Sequence, residues 1–175
     1  MRTLAVIWRT AGHLLATSAE CVLEVLPPVA CTPAAGTPPW IRGLFVHRGR
    51  LIPLVDVARL LQAEASPDRM MNRVLVVRVD AERAAGHWPV GLWVDSVLEL
   101  DRIDFDPPPT EGTSNAGAVT HPGFATDVGR FLGPIAQTTW GQVQLVKPEE
   151  IFTPEQTDLL TQRMAEVSAT PGAAA

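Results

Sequence analysis

The chain has 175 residues, room for one domain of average size or two very small ones. With 46% hydrophobic and 19% charged residues it has the balance of a folded globular protein, at a length that buries about 70% of the unfolded surface without any staple. The 14 basic side chains face 19 acidic ones for a net charge of -5, which excludes the cationic surplus of a general nucleic-acid binder.

Two cysteines, Cys21 and Cys31, are too few for a disulfide framework or a four-ligand zinc site and suit a reducing cytosol. The apolar run Leu4-Ala-Val-Ile-Trp8 stops at Arg9, short of a secretory h-region. No segment reaches the ~18 apolar residues of a membrane helix. The expected location is therefore cytoplasmic, without direct membrane insertion.

Short apolar runs separated by turn signals follow in order. Leu4–Arg9 and His13–Thr17, either side of Thr10-Ala-Gly12, form a predicted hairpin. Ala19–Val25 has helical spacing, with Ser18 as N-cap and Val22, Leu23 and Leu26 on one side, and ends at Pro27-Pro28. Cys31–Pro39 is a proline-rich loop. Ile41–His47 and Arg50–Val55 pair around Arg48-Gly49 as a second hairpin, after which Asp56 caps a short helix over Val57–Gln62.

Arg73–Val79, Val90–Val94 and Ser96–Leu100 read as strands. Residues 101–127, with Pro107-Pro-Pro109, Gly112, Gly117 and Pro122-Gly123, lose all periodicity and read as a long loop. Strand character returns at Gly129–Gln137 and Gly141–Val146. A helix is predicted from Pro154 to Val167, with Leu159, Leu160, Met164 and Val167 at helical spacing, before a disordered tail over 168–175.

Many short strands and little helix point to a barrel or sandwich. A weak internal repeat sharpens this. Arg42–Gly49 with Arg50–Asp56 and Leu60-Leu61 has a late counterpart in Leu132–Gly141 with Gln142–Lys147 and Ile151-Phe152. Each copy starts a strand at a glycine, turns at a glycine and ends a second strand in Leu-Val-(Asp/Lys). Such a repeat implies two related β units in one chain, neither stable alone.

Catalytic constellations are missing. His13, His47, His87 and His121 have no partner at metal-sharing spacing, and no Gly-x-Ser-x-Gly, Walker or Gly-x-Gly-x-x-Gly sequence occurs. Asp101, Asp104 and Asp106 run into prolines where a calcium loop needs ligands and a turn glycine. Cys21 sits in an apolar stretch without a local histidine and reads as a small hydrophobe. The charge is uneven, however. Arg42, Arg48, Arg50 and Arg59 oppose only Asp56, whereas Asp95, Glu99, Asp101, Asp104, Asp106 and Glu111 oppose only Arg102. Arginines among apolar strand residues, with Trp40 adjacent, have the composition of a protein contact surface.

The stretch Pro39-Trp-Ile-Arg-Gly-Leu-Phe-Val-His-Arg-Gly-Arg-Leu-Ile-Pro-Leu-Val-Asp56 resembles the characteristic segment of CheW-like domains, the adaptors of bacterial chemosensory arrays. Leu4–Arg9, Gly12–Thr17 and Val22-Leu-Glu-Val-Leu26 are similar to the family's first hairpin and its Val-x-Glu-Val segment. Arg73–Arg78 and Val90-Gly-Leu-Trp-Val-Asp-Ser-Val97 are similar to later strands, and Gly141–Phe152 to the closing strand and turn. The likeness runs in order over roughly residues 3–153.

The resemblance implies a mainly β fold of two pseudo-symmetric five-stranded SH3-like barrels, with short helices and a C-terminal helix. Residues 1–153 would form the two intertwined barrels with loop 101–127 between late strands, followed by the helix at 154–167 and the tail at 168–175. It also implies no catalysis, no cofactor and no metal. Such proteins bridge the regulatory domain of a CheA-type histidine kinase and the cytoplasmic tip of methyl-accepting chemoreceptors, in membrane-associated arrays.

The family's Arg-Gly turn is preserved as Arg48-Gly49, but the Asn-Leu that usually precedes it is replaced by Val46 and His47. The family's glutamate falls on Glu24, which is expected to pair with Arg48 and brace a receptor-facing groove. The partner-binding set is thus Glu24, Trp40, Val46, His47, Arg48 and Arg50, with Gly43, Gly49 and Gly141 as structural turn glycines. The ending, Gly129–Ala136 with Gly141–Leu145, is similar to adaptors of systems that control surface behaviour or cyclic-di-GMP. The alternative is a small-molecule-binding or sensory β-barrel that uses the groove between the two barrels.

Overall fold

The computed structural model describes residues 2–80, 87–105 and 129–169. Its strands are β1 (Arg2–Thr10), β2 (His13–Ser18), β3 (Val22–Leu26), β4 (Ile41–His47), β5 (Arg50–Asp56), β6 (Arg73–Asp80), β7 (His87–Val94), β8 (Ser96–Asp104), β9 (Leu132–Thr138) and β10 (Gly141–Val146). Two helices complete it, α1 (Val57–Leu60) and α2 (Pro154–Ala169), with a 3₁₀ turn at Pro148–Glu150 before α2.

The strands form two five-stranded sheets, ordered β8-β1-β2-β10-β9 and β3-β6-β7-β5-β4. Both orders carry the same sequence of pairings, antiparallel, antiparallel, parallel, antiparallel. The repeat seen in the sequence is therefore a topological one. The β4–β5 hairpin and its capped helix occupy the same place in one sheet as β9–β10 and the 3₁₀ turn in the other. Neither sheet is a barrel closed by backbone bonding: among the described residues no ladder joins β8 to β9 or β3 to β4.

Central strands such as β1 and β5 are buried on both faces over most of their length, which explains their near-continuous apolar runs. Within β1, Ala5 and Ile7 point into the first sheet's own core with Ile103, Phe105 and Val143. The intervening Val6 and Trp8 join the largest core, shared with Leu75, Val77, Leu92 and Val55 of the second sheet. Within β5, Ile52 and Leu54 face the second sheet's inner core with Val74, Val76 and Trp93. The shared core also takes Val57, Leu60 and Leu61 from the α1 region, Ile151 and Phe152 after the 3₁₀ turn, and Leu160 from α2. The one polar atom of Trp8 that burial would strand donates from Nε1 to Thr17 Oγ1 at 3.1 Å.

Local chemistry sets the turns. Ala11-Gly12 and Arg48-Gly49 both have positive φ (47° and 79°, 50° and 76°), the mirror-image two-residue turn that matches strand twist. Asp56 caps α1 by accepting from the Arg59 amide at 3.2 Å.

Four expectations change. Ala19–Val25 is not a helix: Val22–Leu26 is an edge strand paired with β6, with Val22 packed on the shared core and Leu23 and Val25 exposed. The five-residue pattern satisfies both periods, and pairing with Val74–Val77 decides for the strand. The supposed loop from 101 begins as strand, since β8 reaches Asp104 and places Ile103 in a core; residues 106–128 lie outside the described residues. Residues 129–131 precede β9 rather than belong to it. Helix α2 includes Ser168 and Ala169, and the rest of the expected tail lies outside the described residues. No described helix is long and apolar enough to cross a membrane.

Candidate docking surfaces

The tip of the β4–β5 hairpin reaches across the open side of the second sheet to β3. The Glu24 Oε2 atom of β3 accepts from His47 Nε2 at 2.9 Å and from Arg48 Nη2 at 3.0 Å. The ion pair expected between Glu24 and Arg48 is thus present, and His47 joins it. Arg48 itself has left-handed backbone, with φ 50°. His47 is mostly covered, 11% exposed, while Arg48 is 74% exposed. The His47 hydrogen bond is the largest influence on the Glu24 carboxyl; burial, next in size, opposes it, and the charge and hydrogen bond of Arg48 add to the lowering, so the group is held below the usual carboxylate range. Val46 is 63% exposed and Leu23 and Val25 are also exposed, at positions of the same two strands that alternate to the other face from His47 and Glu24. Exposed apolar residues beside ordered charged ones have the mixed composition of a protein contact, an apolar patch with a polar rim.

Arg50 lies exposed beside the turn, opposite His47 in the ladder. Trp40 does not join this group. It precedes β4, about 26 Å of extended chain from Arg48, and its ring packs tilted against Phe152 at 5.5 Å. There it lines a groove between the halves with Arg59, Arg130, Phe131, Ile151 and Gln156. Arg59 Nη1 donates to Pro39 O at 3.1 Å and Arg130 Nη2 to Glu150 O at 3.2 Å.

The basic segment read from the sequence is likewise divided. Arg42 is structural: it donates to Asp56 and to Ser66 O at 3.2 Å each, pairs with Asp68, and lies 4.2 Å over the Trp93 ring. The acidic side chains Asp101 and Asp104 lie exposed on edge strand β8. Among the described residues no group of histidine, cysteine and carboxylate side chains is placed to hold a metal.

Gly49 forms the turn as expected, and Gly141 opens β10 with φ 109°. Gly43 is not a turn residue. It sits at a bulge within β4, where a Cβ would lie 2.4 Å from Thr32 O. That close approach lets Thr32 pair with Leu44.

The sequence reading missed the first sheet's counterpart of the clasp. There Trp140, at the tip of β9–β10, donates from Nε1 to Glu99 on β8. Again a hairpin tip meets a glutamate on the opposite edge strand, a relationship the internal repeat could have disclosed had the edge strands been included. Arg130 was also missed, because nothing local ties it to Trp40.

Residues 5–152 match the family model described as CheW-like domain. Protein FrzA of Myxococcus xanthus is 34% identical over 112 residues, 62% of this chain and 66% of that protein. Protein PilI of Pseudomonas aeruginosa is 34% identical over 101 residues (57% and 52%), and chemotaxis protein CheW of Helicobacter pylori 30% over 97 (54% and 55%). The chain thus spans between about half and two thirds of these relatives' lengths. The crystal structure of the scaffolding protein TtCheW from Thermoanaerobacter tengcongensis shares the fold, with a TM-score of 0.67 at 24% identity over 89% of this chain and 96% of that one. The match over residues 5–152 places the chain in the CheW-like domain family, a family of scaffolds and adaptors in chemosensory systems.

Proposed function

We propose that the chain is a non-catalytic coupling adaptor that joins the regulatory domain of a CheA-type histidine kinase to the cytoplasmic tip of a methyl-accepting chemoreceptor. The observation that carries this reading is the clasp at Glu24, His47 and Arg48, on two strands that also expose Val46, Leu23 and Val25. It holds a charged, partly apolar hairpin tip in one conformation, so little ordering entropy is lost on docking. Arg50 extends the cationic rim of that surface. Adaptor work needs two modest surfaces rather than one tight site, because array geometry multiplies them.

The site departs from the usual family turn at Val46 and His47, so the receptor it fits carries a complementary change. Recruitment by receptors would place the chain at membrane-associated arrays. The ending Gly129–Ala136 with Gly141–Leu145 favours an alternative chemosensory system over a flagellar one. Immobilised kinase regulatory domain and receptor hairpin from the same genome test the reading. Each should retain the chain, and loss of both interactions with the folded chain present would end it.

A further inference from the structure

We infer that the groove between the two halves is a separate docking surface for an acidic peptide segment with one bulky apolar anchor. The inference builds on the adaptor reading, in which more than one partner must be engaged. The groove has a volume of about 380 Å³, and among the described residues that line it none is acidic. Arg59, from α1, and Arg130, before β9, are both exposed at its rim. Each is steadied by a single backbone carbonyl rather than a carboxylate. The Glu150 carboxylate beside Arg130 is engaged with Lys147 instead, at 3.2 Å. A pair of cations in a chain of net charge -5 stands out as a local reversal of sign.

The floor is apolar and rigid. Trp40, Leu60, Phe131 and Ile151 line it, the last three buried, and Trp40 is backed by Phe152 at 5.5 Å, which in turn meets Trp88 at 5.2 Å. The α2 start is closed by its own capping box, in which Thr153 N donates to Gln156 Oε1 and Gln156 N to Thr153 Oγ1. The specific charges on offer are therefore the two guanidinium groups, which suit carboxylates through paired N–H donors. An aromatic floor with an arginine at either side fits an apolar side chain flanked by Asp or Glu. The concave shape suits an inserted segment better than a flat anionic membrane.

A displayed peptide library panned on the full-length protein tests this, with Arg59→Glu/Arg130→Glu panned in parallel. Enriched sequences should carry Asp or Glu around a Leu, Phe or Trp. A labelled enriched peptide should lose about tenfold or more in affinity on the double variant, the effect of reversing charge across an interface, and bind more weakly with added salt. Circular dichroism and thermal unfolding check that the variant remains folded. If reversal unfolds it, Arg59→Gln/Arg130→Gln replaces it.

Enrichment without acidic residues, no enrichment, or peptides held equally by the double variant would overturn the inference. So would binding of inorganic pyrophosphate or anionic vesicles without any peptide binding. Retention of the wild-type chain by kinase domain and receptor hairpin is measured separately. Its failure alone sinks the adaptor reading, and peptide failure alone sinks only this one.

Discussion

The Glu24 carboxylate and the His47 imidazole meet at 2.9 Å across the side of the second sheet that no backbone ladder closes. Strands β3 and β4 are the two edges of that sheet, so a side-chain contact does what hydrogen-bonded closure would do in a barrel. Arg48 adds a second donor to the same oxygen at 3.0 Å. The hairpin tip is thus held against an edge strand, with its left-handed Arg48-Gly49 turn fixed in place.

The acid response of this clasp follows from its charges. The folded-state pKa of Glu24 is depressed below its ordinary 4.5, so the stabilisation is fully present above that value and is lost as pH falls through the folded pKa. An NMR titration of the Glu24 side-chain carboxyl should give a midpoint below 4.5, and His47→Ala should move it up. A midpoint at or above the ordinary value would contradict the observed hydrogen bonds.

Glycines 43 and 49 should differ in cost although both have positive φ. At Gly49 a Cβ meets nothing within 4 Å, whereas at Gly43 it meets Thr32 O at 2.4 Å and Thr32 C at 2.8 Å. Gly49→Ala should cost about 1 kcal/mol for the left-handed backbone alone. Gly43→Ala should cost about 3 kcal/mol, because backbone must shift as well. Urea unfolding of both variants gives the order directly, and equal costs would refute the steric argument.

Arg42 should behave as a core residue despite its charge. Asp56 is 1% exposed and Arg42 21%, so truncation leaves a buried carboxylate with only its cap bond to the Arg59 amide. Arg42→Ala should lower stability by about 3 kcal/mol while kinase and receptor retention, scaled to folded protein, stays unchanged. Unaltered stability with lost retention would make Arg42 a contact residue instead.

The two halves should unfold together. The largest core takes Trp8 and Val6 from one sheet and Leu75, Val77 and Leu92 from the other, and the first sheet draws β1, β2, β8, β9 and β10 from both ends of the chain. Thermal unfolding followed by far-ultraviolet circular dichroism and tryptophan fluorescence should show coincident transitions. Two separated transitions would mean that the shared core does not couple the sheets.

What the sequence disclosed was local. The Arg48-Gly49 and Ala11-Gly12 turns, the Asp56 cap and the stripe at Leu159, Leu160 and Met164 depend on neighbours in the chain. Val22–Leu26 was misread because five residues satisfy both helical and strand periods, and the deciding partner, Val74–Val77, is distant. β8 was cut short because Asp101 and Arg102 hide an edge strand whose backbone pairs with β1. Counting charge along the chain joined Arg42 to Arg48, although folding neutralises one and exposes the other. The meeting of Trp40, Arg59 and Arg130 was invisible for the same reason: no local rule connects them.

The adaptor claim is tested most directly by a bridging measurement. Bead-bound kinase regulatory domain is mixed with labelled receptor hairpin, with and without the full chain, and bound label is counted. The account predicts label on the beads only when the chain is present, and about tenfold less with Arg48→Glu, the loss expected at a single interface hot spot. Label that never depends on the chain, or an Arg48→Glu variant that bridges as well as the wild type, would contradict it.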